Sequence, residues 1–223
     1  MPVFRNKWTP LFLSNFLGVY NDNLLKNCII FISIGWALPG WLTQSQLISL
    51  VSASLVVPYL FLSPLAGRLA VIYSKKSVFR FFKLLEIPVL AIACVAFHFK
   101  WVMVAVSAVF AMGILSCLYS PSKYSLIRDI GGEPGVSFGS GVFEMMAFLG
   151  ILIGTVTASV VSDHYQPVVV YVLFMGLAAL GYFSTRSIEA NELPEDEPTS
   201  SLNPFSFLKN SYLYARQHSG VNA

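Results

Sequence analysis

Apolar residues fill this chain in long runs parted by short polar breaks. Six runs stand out, at about 9–38, 44–66, 78–98, 101–120, 138–162 and 166–186. Each is close to or above the roughly 20 residues with which an α-helix crosses the hydrocarbon of a bilayer. The breaks carry helix-ending chemistry: Pro39-Gly40, Pro64 to Gly67, the His98 to Lys100 corner, Pro121, the Gly131 to Gly135 cluster, and Asp163 to Pro167. Pro58 and Pro64 leave the end of the second run open between a kink and a stop. The pattern predicts an all-α membrane protein whose residues 1–187 form a bundle of six transmembrane helices, with both termini on one side.

The composition fits that prediction. Hydrophobic residues make up 56% of the chain and charged residues 11%, and the mean hydropathy is +0.68, which a soluble domain of this length does not sustain. Of the 14 Lys and Arg residues, all but Lys26 and Lys100 lie in the N-terminal segment, around the breaks after the second and fourth runs, or in the tail. By the positive-inside rule these regions and both termini are cytoplasmic. Arg5 and Lys7 precede the first run in the charge order of a signal peptide, but that run continues through a charged centre, so it reads as a retained helix. After Arg186 the composition turns polar. Residues 188–223 read as a cytoplasmic linker, acidic and proline-bearing from Glu189 to Thr199. Within it, 204–216 has the spacing of an interfacial helix, or of a helix leading into a further span.

The first run has a feature that the others lack: Asn21-Asp22-Asn23-Leu24-Leu25-Lys26 at its centre. An Asp or Lys at mid-bilayer costs roughly 3 kcal/mol on insertion scales, so such groups face a polar interior and tend to carry function. On a helical period Asn15, Val19, Asp22, Lys26 and Ser33 fall near one face. Asp22 and Lys26 are four apart in the favoured acid-first order, so they could neutralise each other. Asn15, Asn21, Asn23 and Asn27 add more hydrogen-bonding capacity than one ion pair needs, which points to the polar wall of a cavity. Glu86 in the third run and Glu144 in the fifth would be costly against lipid, so both are expected to face inward, Glu144 into the same space as Asp22. Lys83 is the one opposite charge within a helical turn of Glu86, or it could instead snorkel to the cytoplasmic interface. Gly150 and Gly154 form a small-residue stripe suited to close helix packing.

Enzyme chemistry has no foothold in these residues. Cys28, Cys94 and Cys117 lie in apolar segments without metal-ligand spacing, and His98, His164 and His218 are scattered. No phosphate loop or nucleophile elbow occurs, so neither catalytic residues nor a cofactor is expected. The net charge of +3 says little about nucleic acid, which is not expected as a partner.

Four stretches resemble known patterns. Pro64 to Lys76, with Gly67, Arg68, Leu69, Ala70 and the Lys75-Lys76 end, resembles the signature loop G-x-L-A-D-R-x-G-R-K of the major facilitator superfamily. Phe16 to Asn27 resembles the F-L-G-A-F-N-D-N-x-x-K-N opening of the lysophospholipid transporter family. Tyr119 to Ile127 resembles its F-G-P-x-K-Y-x-x-L segment, and Gly141 to Thr155 its N-x-x-x-E-x-x-T-F-x-A-I-L-x-G-T helix. The resemblance implies the N-terminal half of a major facilitator fold in a bacterial inner membrane. It implies a protein that moves lysophospholipids such as lysophosphatidylethanolamine to the inner leaflet for re-acylation by an acyltransferase–acyl carrier protein synthetase. Asp22 and Glu144 would then meet an ammonium and Lys26 a phosphate, with Asn15, Asn23 and Glu86 completing the substrate site. Gly67, Lys75, Lys76 and Lys123 would belong to the gate. The chain departs from the signature at Val71, which stands where the acid belongs, and at Ile72 in place of the Arg, so gating of the ordinary kind is in doubt.

Facilitators hold substrate between two six-helix halves, and this chain supplies one half and a linker. A C-terminal six-helix half is the expected partner, with membrane lipids around it; closing the cavity by dimerisation is the less favoured route. Two other readings stand beside this one: a facilitator for another amphipathic solute, and a non-transporting membrane anchor or regulatory module of a fused acyltransferase.

Overall fold

The computed structural model describes residues 2–192, and among them every regular element is helical. The proposed linker beyond Glu192 and the 204–216 segment lie outside the described residues. Helix α1 spans Pro2–Ile32 and runs into a 3-10 turn, Ser33–Gly35; α2 spans Gln44–Ile72, α3 Lys75–Phe99, α4 Val102–Asp163 and α5 Pro167–Arg186. The ends follow local chemistry. Thr43 and Gln46 form a reciprocal capping box at the start of α2. Lys100 closes α3 in the left-handed conformation at φ 58°, and Pro167 opens α5 at a position where its missing N–H is not needed.

Prolines do not break these helices where the sequence pattern expects. Pro58 and Pro64 lie inside α2, which continues through Gly67 to Ile72. The turn between α2 and α3 is therefore only Tyr73-Ser74, and most of the signature segment is helical. Pro121 likewise lies inside α4. A proline removes one backbone hydrogen bond, and where no water competes for the rest the helix continues.

Helix α4 joins what the sequence reads as two runs. Its 62 residues would make a straight rod about 93 Å long at 1.5 Å per residue. It is not straight, because Gly132 stands at φ 60°, ψ −173°, a conformation open to glycine. The two arms fold back on each other there. Tyr124 and Glu144 are 20 positions apart, yet the Tyr124 hydroxyl donates to Glu144 Oε1 at 2.7 Å. On a straight helix they would be about 30 Å apart. Trp8 of α1 is buried beside this fold-back. A Cβ at Gly131 or Gly139 would come within 2.5 Å of its indole, so these glycines make the niche that holds the ring.

Helix α4 packs on α1, α2 and α3, and α5 packs on α1 and α3. Gly150 and Gly154 sit directly on the α1 backbone. A Cβ at Gly150 would lie 2.9 Å from Phe16 O and one at Gly154 2.7 Å from Tyr20 O, as expected for small-residue packing. Gly154→Val is therefore expected to push α1 and α4 apart, at a cost of about 1–3 kcal/mol. A thermal-denaturation midpoint in detergent below that of the parent would show it, and an unchanged midpoint would refute the contact.

Among the described residues three helices, α2, α4 and α5, are long and apolar enough by composition to cross a membrane. Helix α1 carries the Asn21 to Asn27 segment, and α3 is charged from Lys75 to Glu86. The buried apolar side chains form two clusters. One gathers Leu24, Ile29, Val51, Leu90, Met112 and Phe174 with their neighbours. The other gathers Trp8, Leu11, Phe79, Tyr119, Leu126 and Phe143. Along α1, α3 and the first arm of α4, a layer of polar side chains intervenes between the two clusters, beside apolar residues such as Leu17 and Cys117.

Candidate polar site between the two apolar clusters

That intervening layer contains Asn15, Asp22, Lys83, Glu86, Ser116, Tyr119 and Lys123. Lys83 and Glu86, three apart on α3, form an ion pair with Nζ to Oε1 at 2.8 Å, each side chain 1% exposed. The same ammonium donates to Glu86 Oε2 at 2.9 Å. Lys83 therefore does not snorkel to an interface: its partner is one turn away on its own helix, and Gly18 of α1 leaves room for its ammonium. The Lys83 Nζ also lies 5.1 Å from the centre of the Tyr119 ring, within cation–π range.

Tyr119 links this pair to α1. Its hydroxyl is 3.3 Å from Ser116 Oγ, and Ser116 donates to Asp22 Oδ2 at 2.8 Å. Asp22 thus bonds across to α4. Lys26, its expected neighbour in charge, donates to Asn23 Oδ1 at 3.1 Å. The other carboxylate oxygen, Asp22 Oδ1, is buried without a hydrogen-bond partner among the described residues. Leaving a charged acceptor unsatisfied costs several kcal/mol in a helix bundle, so such an atom calls for an explanation beyond packing.

Lys123 closes the other side. Its ammonium donates to Asn15 Oδ1 at 3.1 Å and faces the rings of Tyr119, Tyr124 and Phe143 at 5.5–5.6 Å. Asn15 Nδ2 in turn donates to Phe143 O at 2.9 Å, so one amide ties α1 to both arms of α4. Two basic and two acidic side chains, Lys83, Lys123, Asp22 and Glu86, thereby share one layer.

Not every sequence-predicted residue belongs to it. Asn21 reaches α5 by donating to Phe174 O at 3.3 Å, and Asn27 donates to Thr155 Oγ1 on the second arm of α4 at 2.9 Å. These amides staple α1 on several sides and do not line up as a single wall. Asn23 turns back to Val19 O on its own helix, at 2.9 Å. Glu144 is exposed and held by Tyr124, where the sequence reading has it beside Asp22. The cause is helical phase: its neighbour Phe143 takes the buried direction, with no exposed surface. Ser116, Tyr119 and Lys83 are the members that sequence reasoning missed. Their signal was the spacing Ser116, Tyr119, Lys123, a polar stripe along one face of a helix in an otherwise apolar run.

The residues assigned to the gate are dispersed. A Cβ at Gly67 would meet nothing within 4 Å, so that glycine serves no close approach among the described residues. Lys75 is buried and pairs with Asp129 of α4 at 3.3 Å; Asp129 carried no signal in the sequence pattern. Lys76 turns to Ala190 O at 2.9 Å, while Lys123 lies in the polar layer. Among the described residues no group of His, Cys, Asp and Glu is arranged to hold a metal ion.

The profile of the Major Facilitator Superfamily matches residues 9–216. The lysophospholipid transporter LplT of Serratia proteamaculans (strain 568) is 23% identical over 207 residues, covering 91% of this chain and 48% of that protein. The transporter of the same name from Yersinia enterocolitica is 24% identical over 181 residues, covering 81% of this chain and 41% of that protein. The one from Pectobacterium carotovorum subsp. carotovorum is 23% identical over 162 residues, 73% of this chain and 37% of that protein. The chain thus spans half or less of the length of these curated relatives. No solved structure gives a significant match. A match over nearly the whole chain, on an all-helical bundle with a charged layer in its apolar core, places this chain in the Major Facilitator Superfamily.

Proposed function

We propose that this chain is the N-terminal half of a transporter that moves lysophospholipids across a bacterial inner membrane, in the manner named for its relatives. Residues 1–187 form its bundle and the chain beyond is a cytoplasmic linker. In this reading α1, α2, α3, the two arms of α4 and α5 are six spans, both termini are cytoplasmic, and a second six-helix half completes the cavity. The observation that carries the proposal is the buried layer joining Asp22, Ser116, Tyr119, Lys83 and Glu86. A bundle that only anchored another domain would have no use for an unsatisfied carboxylate oxygen between two apolar clusters.

The chemistry of the layer suits a zwitterionic head group. Asp22 Oδ1 is free to accept from an ammonium, and Lys26 or Lys123 can meet a phosphate at the cost of exchanging an amide oxygen for a charged one, a favourable exchange. Asn15 and Asn23 hold those two lysines, so they act on substrate by orienting its cation partners. Glu86 acts through Lys83, and Glu144 stands at the exposed edge, where a second half would meet it. An acyltransferase–acyl carrier protein synthetase, separate or fused, would then re-acylate the lipid on the cytoplasmic side.

Head-group selectivity tests this reading against a facilitator of other amphipathic solutes. The native protein, including whatever follows Ala223, is reconstituted into vesicles with fluorescent single-chain lipids. Movement of lysophosphatidylethanolamine is expected to exceed that of a monoacylglycerol of the same chain by about tenfold or more, the effect of roughly one charge-assisted contact. Equal protein-dependent rates would instead favour recognition of the acyl chain alone, and an absence of any protein-dependent movement would favour an anchor.

A further inference from the structure

The first turn of α3 is held by a residue 116–118 positions away. Glu192 Oε1 accepts from Ser74 Oγ at 2.8 Å and from the Lys76 backbone N–H at 3.2 Å, and Oε2 accepts from the Lys75 N–H at 2.9 Å. Lys76 Nζ lies 3.9 Å from the same carboxylate and donates to Ala190 O at 2.9 Å. Six residues earlier the relation is reversed. Arg80 of α3 donates through Nε to Thr185 O and through Nη2 to Arg186 O, both at 3.1 Å, and reaches Ile188 O at 3.5 Å.

Each contact places the right charge on the right helix end. The N–H groups of a first turn have no partner within the helix and carry partial positive charge, which a carboxylate satisfies; the last carbonyls of a helix accept from a cation. Between the two anchors Ile188 is buried in the apolar cluster around Trp8. The α2–α3 segment from Gly67 to Lys76 has no acidic residue of its own. The other charged groups nearby are Lys7, Asp129 and Glu189, which share with Lys76 and Asn191 a cavity of about 430 Å³. Asp129 is already paired with Lys75.

We propose that residues 187–192 act as a clasp and that Glu192 is the positioning residue for the N-terminus of α3. Through it, the place of Lys75, and so of the Lys75–Asp129 bridge between α3 and α4, follows the chain that leaves α5. A pull on that chain releases the first turn of α3. This inference concerns the coupling of two cytoplasmic segments and stands whether or not the cargo is a lysophospholipid.

The test uses the full 223-residue chain in lipid nanodiscs and reads amide hydrogen exchange together with tryptic cleavage after Arg186. Glu192→Gln is expected to speed exchange at Lys75 and Lys76 by about tenfold or more, the scale of lost charge-assisted bonds, while the middle of α5 keeps its protection. Arg80→Gln is expected to speed cleavage after Arg186 by a similar factor. Unchanged exchange and cleavage in these variants overturn the clasp. Should Glu192→Gln loosen the whole bundle, a Ser74→Cys/Glu192→Cys variant decides. Bridged by a short bifunctional thiol reagent it must exchange at Lys75 and Lys76 like the parent, and unbridged about tenfold faster; equal rates in the two states overturn the proposal.

Discussion

Asp22→Asn is expected to lower protein-dependent movement of a zwitterionic lysophospholipid by about 30- to 150-fold, the equivalent of roughly 2–3 kcal/mol for a charged hydrogen bond lost in a poorly solvated site. The fold should persist. An asparagine side-chain oxygen can still accept from Ser116, the hydrogen-bond partner of Asp22 among the described residues. What disappears is the carboxylate oxygen that no group among the described residues satisfies. Membrane insertion and the thermal midpoint should stay close to those of the parent, and Asp22→Glu should recover part of the rate. Should the asparagine variant move lysophosphatidylethanolamine at the parental rate, Asp22 is not the head-group acceptor.

Glu86→Gln carries the second large effect, and it falls on stability first. Lys83 and Glu86 are both 1% exposed, so each is tolerated in the core only because of the other. Removing one charge of a buried pair leaves the partner uncompensated and typically costs about 3–5 kcal/mol, whereas replacing both with apolar groups of like volume is often neutral. Against a total stability of about 5–15 kcal/mol the single change is severe. Glu86→Gln should therefore unfold at a markedly lower temperature or reach the membrane in lower yield, and Lys83→Met/Glu86→Leu should recover most of the loss. A double variant with parental stability but impaired transport would show that the pair also serves the cargo. A single variant as stable as the parent would show that Lys83 finds another partner, for which Asp22, linked through Ser116 and Tyr119, is a candidate.

Much of the helical content was legible as apolar runs, because lipid-facing and buried positions are both hydrophobic and only breaks and charges stand out. The helix ends were read less well, for one reason. Proline at Pro64 and Pro121 signals a stop in water, yet both lie inside helices here, since a bundle in lipid offers the backbone no better partner than itself. The fold-back of α4 needed a residue able to adopt positive φ, and the Gly131 to Gly135 cluster marked its place though not which glycine turns; Gly132 does.

The site was half legible. Asp22 announced itself as a charge inside an apolar run, but a sequence pattern along one helix cannot show what faces it from another. Ser116 and Tyr119 look like ordinary residues of an apolar stretch until α1 is laid against them. Lys83 misled because snorkelling and pairing with Glu86 are equally available at that spacing, and burial against Gly18 decides between them. Glu144 misled because position on a helix gives a direction only when the neighbouring elements are known.

In the proposed function this bundle, completed by a second half, passes a lysophospholipid head group through its polar layer. The most direct measurement is transbilayer movement of a fluorescent lysophosphatidylethanolamine in vesicles containing the native protein read through beyond Ala223. The lipid's loss from the outer leaflet is followed by quenching from outside. Movement is expected to be at least about tenfold faster than in protein-free vesicles, and to be lost on Asp22→Asn at equal protein density. Movement no faster than in protein-free vesicles, from protein shown to be folded and inserted, would contradict the proposed function.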